Sequence, residues 1–303
     1  MIGNTKAPHK IFLTVTEGFP DYALLDSGDG RKLERFGHIT VNRPEPQAMW
    51  SPHQESGVWK AADGTFDGNN GAGSWQFRCP LPDTWFVSID EMPITCRFNS
   101  FCNIGVFPEQ YPHWQYMKNM IHRSKRVKPQ LLNLFGYTGV ASLLAVIAGA
   151  KVTHVDASRK AIAWARLNQS SAGLDRAPIR WILDDARKFT AREVRRQHRY
   201  YGVLLDPPKF GRGPGGEVWN LFQDLPALLQ NCEHLLEDEE AFLMLTTYAV
   251  RASSLSFDCL IREILAARGG HFESGELLLR EVGAGRVLST SLFTRWRSNG
   301  LRS

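Results

Sequence analysis

The chain is 303 residues long, 43% hydrophobic and 22% charged, and its 36 basic against 31 acidic side chains leave a formal charge of +5. That size buries one large core or two modest ones, and the composition is that of a globular protein rather than a disordered or fibrous one. The longest apolar run, residues 140–148, is too short to cross a membrane, so no membrane partner is expected.

The opening segment, residues 1–10, lacks the apolar core of a secretory signal, which makes a cytoplasmic protein the expectation. The basic surplus admits a polyanionic partner without requiring one. Cys79, Cys96, Cys102, Cys232 and Cys259 are odd in number and scattered, with no pair at C-x-x-C spacing. Neither a zinc site nor a disulfide framework is expected from them, nor any other metal; buried, reduced thiols are.

Up to residue 112 the chain is rich in Gly, Pro, Trp and Phe, and turn signals such as Ser27-Gly28-Asp29-Gly30 and Asp67-Gly68-Asn69-Asn70-Gly71 break its apolar runs. Residues 22–25, 75–78, 84–89 and 95–98 read as short strands and 62–73 as a loop with scope to move. Residues 1–112 are thus expected to form a smaller β-rich domain, a candidate for substrate recognition. From 113 to 303 strands alternate with amphipathic helices. Helix 114–126 is followed by strand 130–135, helix 140–149, strand 151–156, helix 158–172, strand 179–183, helix 186–198 and strand 202–206. Helix 218–236, strand 241–245, helix 254–268 and strands 272–279 and 287–296 complete the run. This predicts an α/β fold with a Rossmann-like, mostly parallel sheet of seven strands. The last two strands are joined by too short a link for a helix, so they predict an antiparallel C-terminal hairpin, an ending that a simple dinucleotide-binding sheet lacks.

The first strand of this half runs through Asn133-Leu134-Phe135-Gly136-Tyr137-Thr138-Gly139 directly into a helix. Glycines at such a turn let the backbone approach a ligand and reach positive φ, though a tight packing turn would look the same. The next strand ends at Asp156, about 20 residues after Gly136 and ahead of Ala157 and Ser158. An acid there can accept both hydroxyls of a ribose, with helix capping by Asp156 or Ser158 as the alternative. The third strand ends in Asp184-Asp185-Ala186, where a carboxylate can accept from an adenine amino group or, again, cap a helix. A nicotinamide enzyme would prefer Gly-x-Gly-x-x-Gly; here the three positions hold Gly136, Thr138 and Ala141. The missing middle glycine disfavours a pyrophosphate on the helix terminus and suits S-adenosylmethionine, which has no phosphate to seat.

The fourth strand ends in Asp206-Pro207-Pro208-Lys209-Phe210. Two prolines after an acid fix an extended exit with few free donors, which places Asp206, the prolyl carbonyls and Phe210 at the rim of the pocket, where an aromatic can stack on a flipped base. A purely structural turn is the alternative.

On these residues, with Asn168 and the element Gly105-Val106-Phe107-Pro108-Glu109-Gln110, the chain resembles the large-subunit ribosomal RNA methyltransferases, the cytosine-C5 enzymes and their guanine-N7 relatives. The resemblance covers roughly residues 100–296. It implies a class I S-adenosylmethionine-dependent methyltransferase in which Tyr137, Thr138, Gly139, Asp156, Ser158 and Asp185 line the cofactor, with Asn133, Phe135, Gly136, Ala157 and Ala186 beside them. Asp206 would lie between cofactor and substrate, orienting the acceptor or taking its proton, with Pro207 and Phe210 beside it and Lys209 on a phosphate. The chain departs from the family in two ways. The residues before 113 suffice only for the β-rich middle domain, not for an additional RNA-binding PUA domain. Where the cytosine-C5 enzymes carry a thiol after the fifth strand, this chain reads Thr246-Thr247-Tyr248-Ala249-Val250-Arg251. Covalent activation of cytosine needs that thiolate, and Cys259 is expected to be core, so methylation of a heteroatom is the expectation.

Basic clusters at 122–128 and along Arg187, Lys188, Arg192, Arg195, Arg196 and Arg199, with Lys209 and Arg212 near the rim, are candidate phosphate contacts; Trp50, Trp59 and Trp75 are candidate stacking platforms. Ribosomal RNA is therefore the expected partner. A methyltransferase for a small molecule or a protein, and a non-catalytic RNA-binding protein of the same fold, stand as alternatives. The sequence leaves monomer and homodimer equally open.

Overall fold

The computed structural model describes residues 10–69, 72–100, 102–248 and 250–301. Strand β1 (Ile11–Val15) comes first. A five-stranded sheet follows, built from β2 (Tyr22–Gly28), β3 (Arg31–Phe36), β4 (Ile39–Pro44), β5 (Gly64–Asn69) and β6 (Ala72–Phe77), with the short helix α1 (Ser56–Lys60) before β5. A separate hairpin, β7 (Trp85–Ile89) and β8 (Met92–Cys96), and helix α2 (Tyr111–Arg123) lead into the second half. The segment read as a loop at 62–73 is largely the β5–β6 hairpin. Phe66 is fully buried there, and alternation along Thr65-Phe66-Asp67 gives the pair a core face. Residues 70–71 lie outside the described residues.

The second half comprises β9 (Gln130–Leu134), α3 (Val140–Ile147), β10 (Lys151–Asp156), α4 (Arg159–Ser171), β11 (Ile179–Leu183), α5 (Ala186–Arg195) and β12 (Gly202–Leu205). A small hairpin of β13 (Phe210–Arg212) and β14 (Val218–Asn220) is followed by α6 (Leu221–Leu235), β15 (Phe242–Tyr248), α7 (Ser254–Ile264), β16 (His271–Arg280) and β17 (Val287–Arg297). The sheet order is β1-β16-β17-β15-β12-β9-β10-β11, with β9 to β12 and β15 parallel and β17 antiparallel to both of its neighbours. Seven strands are those expected; the eighth is β1. It lies within the stretch assigned by sequence to the N-terminal domain, yet pairs in parallel with β16. Gly275 makes this possible, because a Cβ there would sit 1.8 Å from the carbonyl oxygen of Phe12. Helix α6 starts at Leu221 rather than at Val218, since residues 218–220 pair with 210–212.

The central strands are hydrophobic on both faces because both are covered. Along β9, Leu131 joins a core that is continuous with the N-terminal sheet, while Leu132 and Leu134 join a second core under α5, α6 and α7. The thiols are not uniformly buried as expected: Cys96 and Cys232 are, but Cys79 and Cys259 are exposed. Helix α7 turns Phe257, Asp258 and Ile261 inward, which leaves Cys259 on its outer face. Among the described residues no helix is long and apolar enough to cross a membrane.

The turn between β16 and β17 reaches back to the N-terminal sheet. Buried Glu281 accepts from the Ser27 hydroxyl and from Arg286 Nε at 2.7 Å, and Arg286 continues to Asp26 at 2.9 Å. The Val282 amide donates to the carbonyl of Leu24 at 3.0 Å. Removing one member of a buried ionic group strands the others. Glu281→Ala is expected to destabilise the protein by about 3 kcal/mol in urea unfolding; a loss under about 1 kcal/mol would show that this node does not join the two sheets.

Candidate active site

After β9 the sheet order reverses: β10 lies on one side of β9 and β12 on the other, so the loops leaving β9 and β12 diverge and open a crevice at the strand ends. The loop after β9 is strained. Phe135 has φ +58° and Tyr137 φ +49°, both left-handed, and Gly139 has φ +82° at the N-cap of α3. A buried polar group lies underneath: Asn133 Nδ2 donates to Ser142 Oγ, and Ser142 Oγ is 2.9 Å from His154 Nδ1. Burial pushes His154 down to about 3, so the ring is neutral. Gly136 has no side chain because a Cβ would lie 2.3 Å from that ring.

Asp156 closes the loop. Its Oδ2 accepts the Tyr137 amide at 2.9 Å and its Oδ1 the Ser158 amide at 2.7 Å. Burial raises its carboxyl, and the two amides oppose the rise. Asp156, Ala157 and Ser158 line a cavity of about 280 Å³. Ser158 caps α4 by accepting the Ala161 amide. Thr138 donates to the carbonyl of Gly105 at 2.7 Å, and Asn168 ties the Thr138 carbonyl to the Thr95 amide of β8.

At the far end of the cavity Asp185 serves its helix first. Its oxygens accept the amides of Arg187 and Lys188 and the Arg187 guanidinium, while Asp184 accepts the Asp185 amide and pairs with Arg192. Asp184, Asp185 and Ala186 still line the cavity wall.

Asp206 stands at the near end. Its Oδ2 accepts Gln110 Nε2 at 3.0 Å; its Oδ1 is buried without a partner among the described residues. Burial, reinforced by the charge of Glu109 and opposed by Gln110, lifts its carboxyl to about 7. Behind Gln110 a polar chain runs through Thr246 to His113, at 3.4 and 3.2 Å. Asn133, Phe135, Gly136, Tyr137 and Thr138 line a smaller, inner cavity of about 80 Å³ that also reaches Asp206. Most residues singled out by sequence therefore converge here. Gly139, Lys209 and Phe210 line neither cavity: Gly139 is the N-cap of α3, and the exposed Lys209 and Phe210 lead into and begin the outer β13–β14 hairpin. Pro207 is buried and Pro208 lines the wall, its carbonyl accepting Trp219 Nε1 at 2.7 Å.

Sequence reasoning missed Tyr248, Trp219 and Asn103 as cavity residues, and it used Glu109 and Gln110 only as part of a resemblance. No spacing rule links Gln110 to Asp206, since they are 96 residues apart. The tryptophans proposed as platforms are half-buried and committed: the indole N–H of Trp50 goes to Ser27, of Trp59 to Asp26 and of Trp75 to the Asn99 carbonyl. Much of the basic surface is also paired internally, Lys125 with Glu240, Arg126 with Glu237, Lys188 with Glu217 and Arg196 with Glu193.

The residues present fit an adenosyl cofactor with a positive sulfur. Asp156 offers acceptors for a ribose diol, the turn of Gly136 and Tyr137 lines the cavities without a phosphate-seating Gly-x-Gly, and Asp206 keeps one acidic oxygen without a protein partner among the described residues. With Glu109, Asp184 and Asp185 also on the wall, the cavity disfavours a phosphate-bearing ligand. No group of His, Cys, Asp and Glu among the described residues could hold a metal ion.

No family model matches the chain. It is 29% identical over 162 residues to the ribosomal RNA large subunit methyltransferase K/L of Cellvibrio japonicus, across 53% of this chain and 20% of that protein. It is 34% identical over 82 residues to the ribosomal RNA large subunit methyltransferase I of Klebsiella pneumoniae, across 27% of this chain and 20% of that protein. The chain thus spans about a fifth of the length of these curated relatives. The crystal structure of the S-adenosylmethionine-dependent methyltransferase from Agrobacterium tumefaciens matches with a TM-score of 0.92 and 49% identity, over 98% of this chain and 96% of that one.

Gly136→Ala is expected to raise the dissociation constant for S-adenosylmethionine at least about tenfold in calorimetry, as the new methyl displaces the loop from His154. An unchanged constant would show that the loop is not the cradle.

Proposed function

The chain belongs to the S-adenosylmethionine-dependent methyltransferases, and from that premise we propose that it methylates a nitrogen or oxygen of a base in ribosomal RNA. The observation that carries this reading is the Asp206 carboxyl, buried at the mouth of the cofactor cavity with one oxygen unpartnered and lifted to about 7. A group poised near neutral pH suits general-base work.

When bound, S-adenosylmethionine supplies an electrophilic methyl on a cationic sulfur. Asp156 would hold the ribose hydroxyls, and Asp184, Asp185 and Ala186 would line the adenine side of the cavity. Gln110 fixes the Asp206 carboxylate by its Oδ2, which leaves Oδ1 to accept an N–H or O–H of the substrate, orient its lone pair and take its proton. Alignment and charge placement account for most of the rate in such a displacement. No cysteine lines either cavity, so attack on a cytosine ring has no thiolate there. Residues 1–112, apart from β1 and the 103–110 stretch that lines the cavity, serve as the substrate-recognition part, and that stretch joins 113–303 as the catalytic part. The named targets of the curated relatives support ribosomal RNA as the substrate, and such a substrate places the enzyme in the cytoplasm.

Nucleoside mass spectrometry of ribosomal RNA from a deletion strain is expected to lack one methylated base, restored by the wild-type gene and not by Asp206→Ala. An unchanged set of modified nucleosides overturns the reading. The rate of transfer is expected to rise as pH increases through about 7, where Asp206 loses its proton, and then to level off. Asp206→Asn lowers kcat by about 100-fold or more. Glu109→Gln removes a neighbouring negative charge, so the acid limb moves to lower pH; a limb that stays in place would show that Glu109 does not act on Asp206.

The same shift has a stability sign. Between about 4 and 7 the folded chain keeps a proton on Asp206 that the unfolded chain has released, so stability falls as pH rises through that window. In Asp206→Asn this fall is expected to shrink by on the order of 1–3 kcal/mol between pH 5 and pH 8, read from paired urea titrations.

A further inference from the structure

The β13–β14 hairpin has two faces. Gly211 opposes Trp219 in the register, and alternation puts both on the inner side. Trp219 is 3% exposed, lies 5.0 Å from the Phe135 ring and donates to Pro208, while Gly211 lines the cavity. The pairs on either side, Phe210 with Asn220 and Arg212 with Val218, alternate to the other face, and Arg212 also borders the cavity at its mouth. There Phe210 is 61% and Val218 64% exposed, and Phe222, at the start of α6, is 52% exposed. The inner face is thus a finished wall of the cavity, and the outer face leaves large apolar side chains in water beside its mouth.

The charges of this rim differ from those next to it. On α5, Arg187, Lys188 and Arg192 are each tied to a carboxylate. Lys209 and Arg212 are exposed and have no carboxylate partner among the described residues, and Lys209 Nζ lies 5.4 Å from the Phe210 ring. Exposed aromatic faces interleaved with free cations are what an unpaired polynucleotide binds: bases stack on the rings and phosphates meet the cations, with little dependence on sequence. A duplex, whose bases are stacked on one another, gains nothing from the rings. A base that enters the cavity brings its neighbours across this rim.

We propose that the outer face of the β13–β14 hairpin, extended by Phe222, is a stacking platform for the unpaired nucleotides flanking the methylated base, so that the enzyme takes its target from single-stranded RNA. This rests on the RNA reading above. It assigns Phe210 to the flanking nucleotides rather than to the reacting base.

The test is fluorescence anisotropy of the full chain, saturated with S-adenosylhomocysteine, against a labelled 12-nucleotide single-stranded RNA and the blunt duplex of the same sequence. The wild type is expected to bind the single strand at least about tenfold more tightly than the duplex. Phe210→Ala and Phe222→Ala should each weaken single-strand binding about 5- to 50-fold, with cofactor affinity and thermal midpoint unchanged, and Phe210→Tyr should retain it. Lys209→Ala with Arg212→Ala should lower the salt slope by about 1.4. If the wild type binds neither RNA, both this proposal and the RNA reading fall. If it binds the single strand and the two alanine variants bind equally well, or if it prefers the duplex, the platform falls and the RNA reading stands.

Discussion

The carboxylate of Asp156 is the restraint on which the loop after β9, the proposed cofactor loop, depends. Two residues of the loop after β9 carry side chains in left-handed backbone, which costs roughly 1 kcal/mol or more each. A loop so strained persists only if its surroundings determine it from several sides. Asp156 holds the Tyr137 amide from the next strand, and the Asn133–Ser142–His154 group fills the space beneath Gly136. Asn168 grips the Thr138 carbonyl from α4 while accepting the Thr95 amide of the β7–β8 hairpin. The N-terminal half is therefore part of what shapes the cofactor loop.

Asp156 and Asp206 line the same cavity and differ through their surroundings. Asp156 receives two backbone amides, which favour its charged form against burial. Asp206 receives one side-chain amide and faces a second buried acid, Glu109, so burial wins and the carboxyl titrates near neutral pH. Glu109 is itself raised by burial and lowered by Lys32 and Arg43, which pair with Glu34 behind it. A chain of buried charges thus links the N-terminal sheet to the Asp206 end of the cavity, and the tuning of Asp206 depends on residues far from it in sequence.

That dependence sets the limit of what the sequence reveals. The parallel strands were legible because each is a short run followed by a helical pattern, with side-chain caps at α4, α5, α6 and α7, and Gly136, Asp156, Asp185 and Asp206 fall at strand ends, where local spacing locates them. The partner of Asp206 was not legible: Gln110, in the 3-10 turn ahead of α2, is 96 residues away and meets it only in the folded chain. Asp185 shows the converse, since its spacing allowed either an adenine contact or a helix cap and only the coordinates show its oxygens taken up by α5. Phe210 was placed at the pocket because the two prolines aim the chain there, but the short pairing of 210–212 with 218–220 lifts it to the outer face. Strand β1 escaped notice because its partner lies at the opposite end of the chain.

The joints between the two halves decide where a substrate can enter. β1 adds to the edge of the large sheet, Glu281 and Arg286 clamp β2, Asn168 ties β8 to α4, and a continuous core runs from Phe36 and Val87 to Leu131 and Leu143. An N-terminal sheet fixed at so many points cannot swing as a hinged lid without opening that core. Access is left to the side bounded by Tyr248 and the β13–β14 hairpin, which closes with Gly213, Gly215 and Gly216 and is held by Trp219 and, from α5, by Arg187 on the Val218 carbonyl and Lys188 on Glu217. The element that borders this opening is thus the one that carries the exposed Phe210 and Val218, and its position is set by α5 and Trp219.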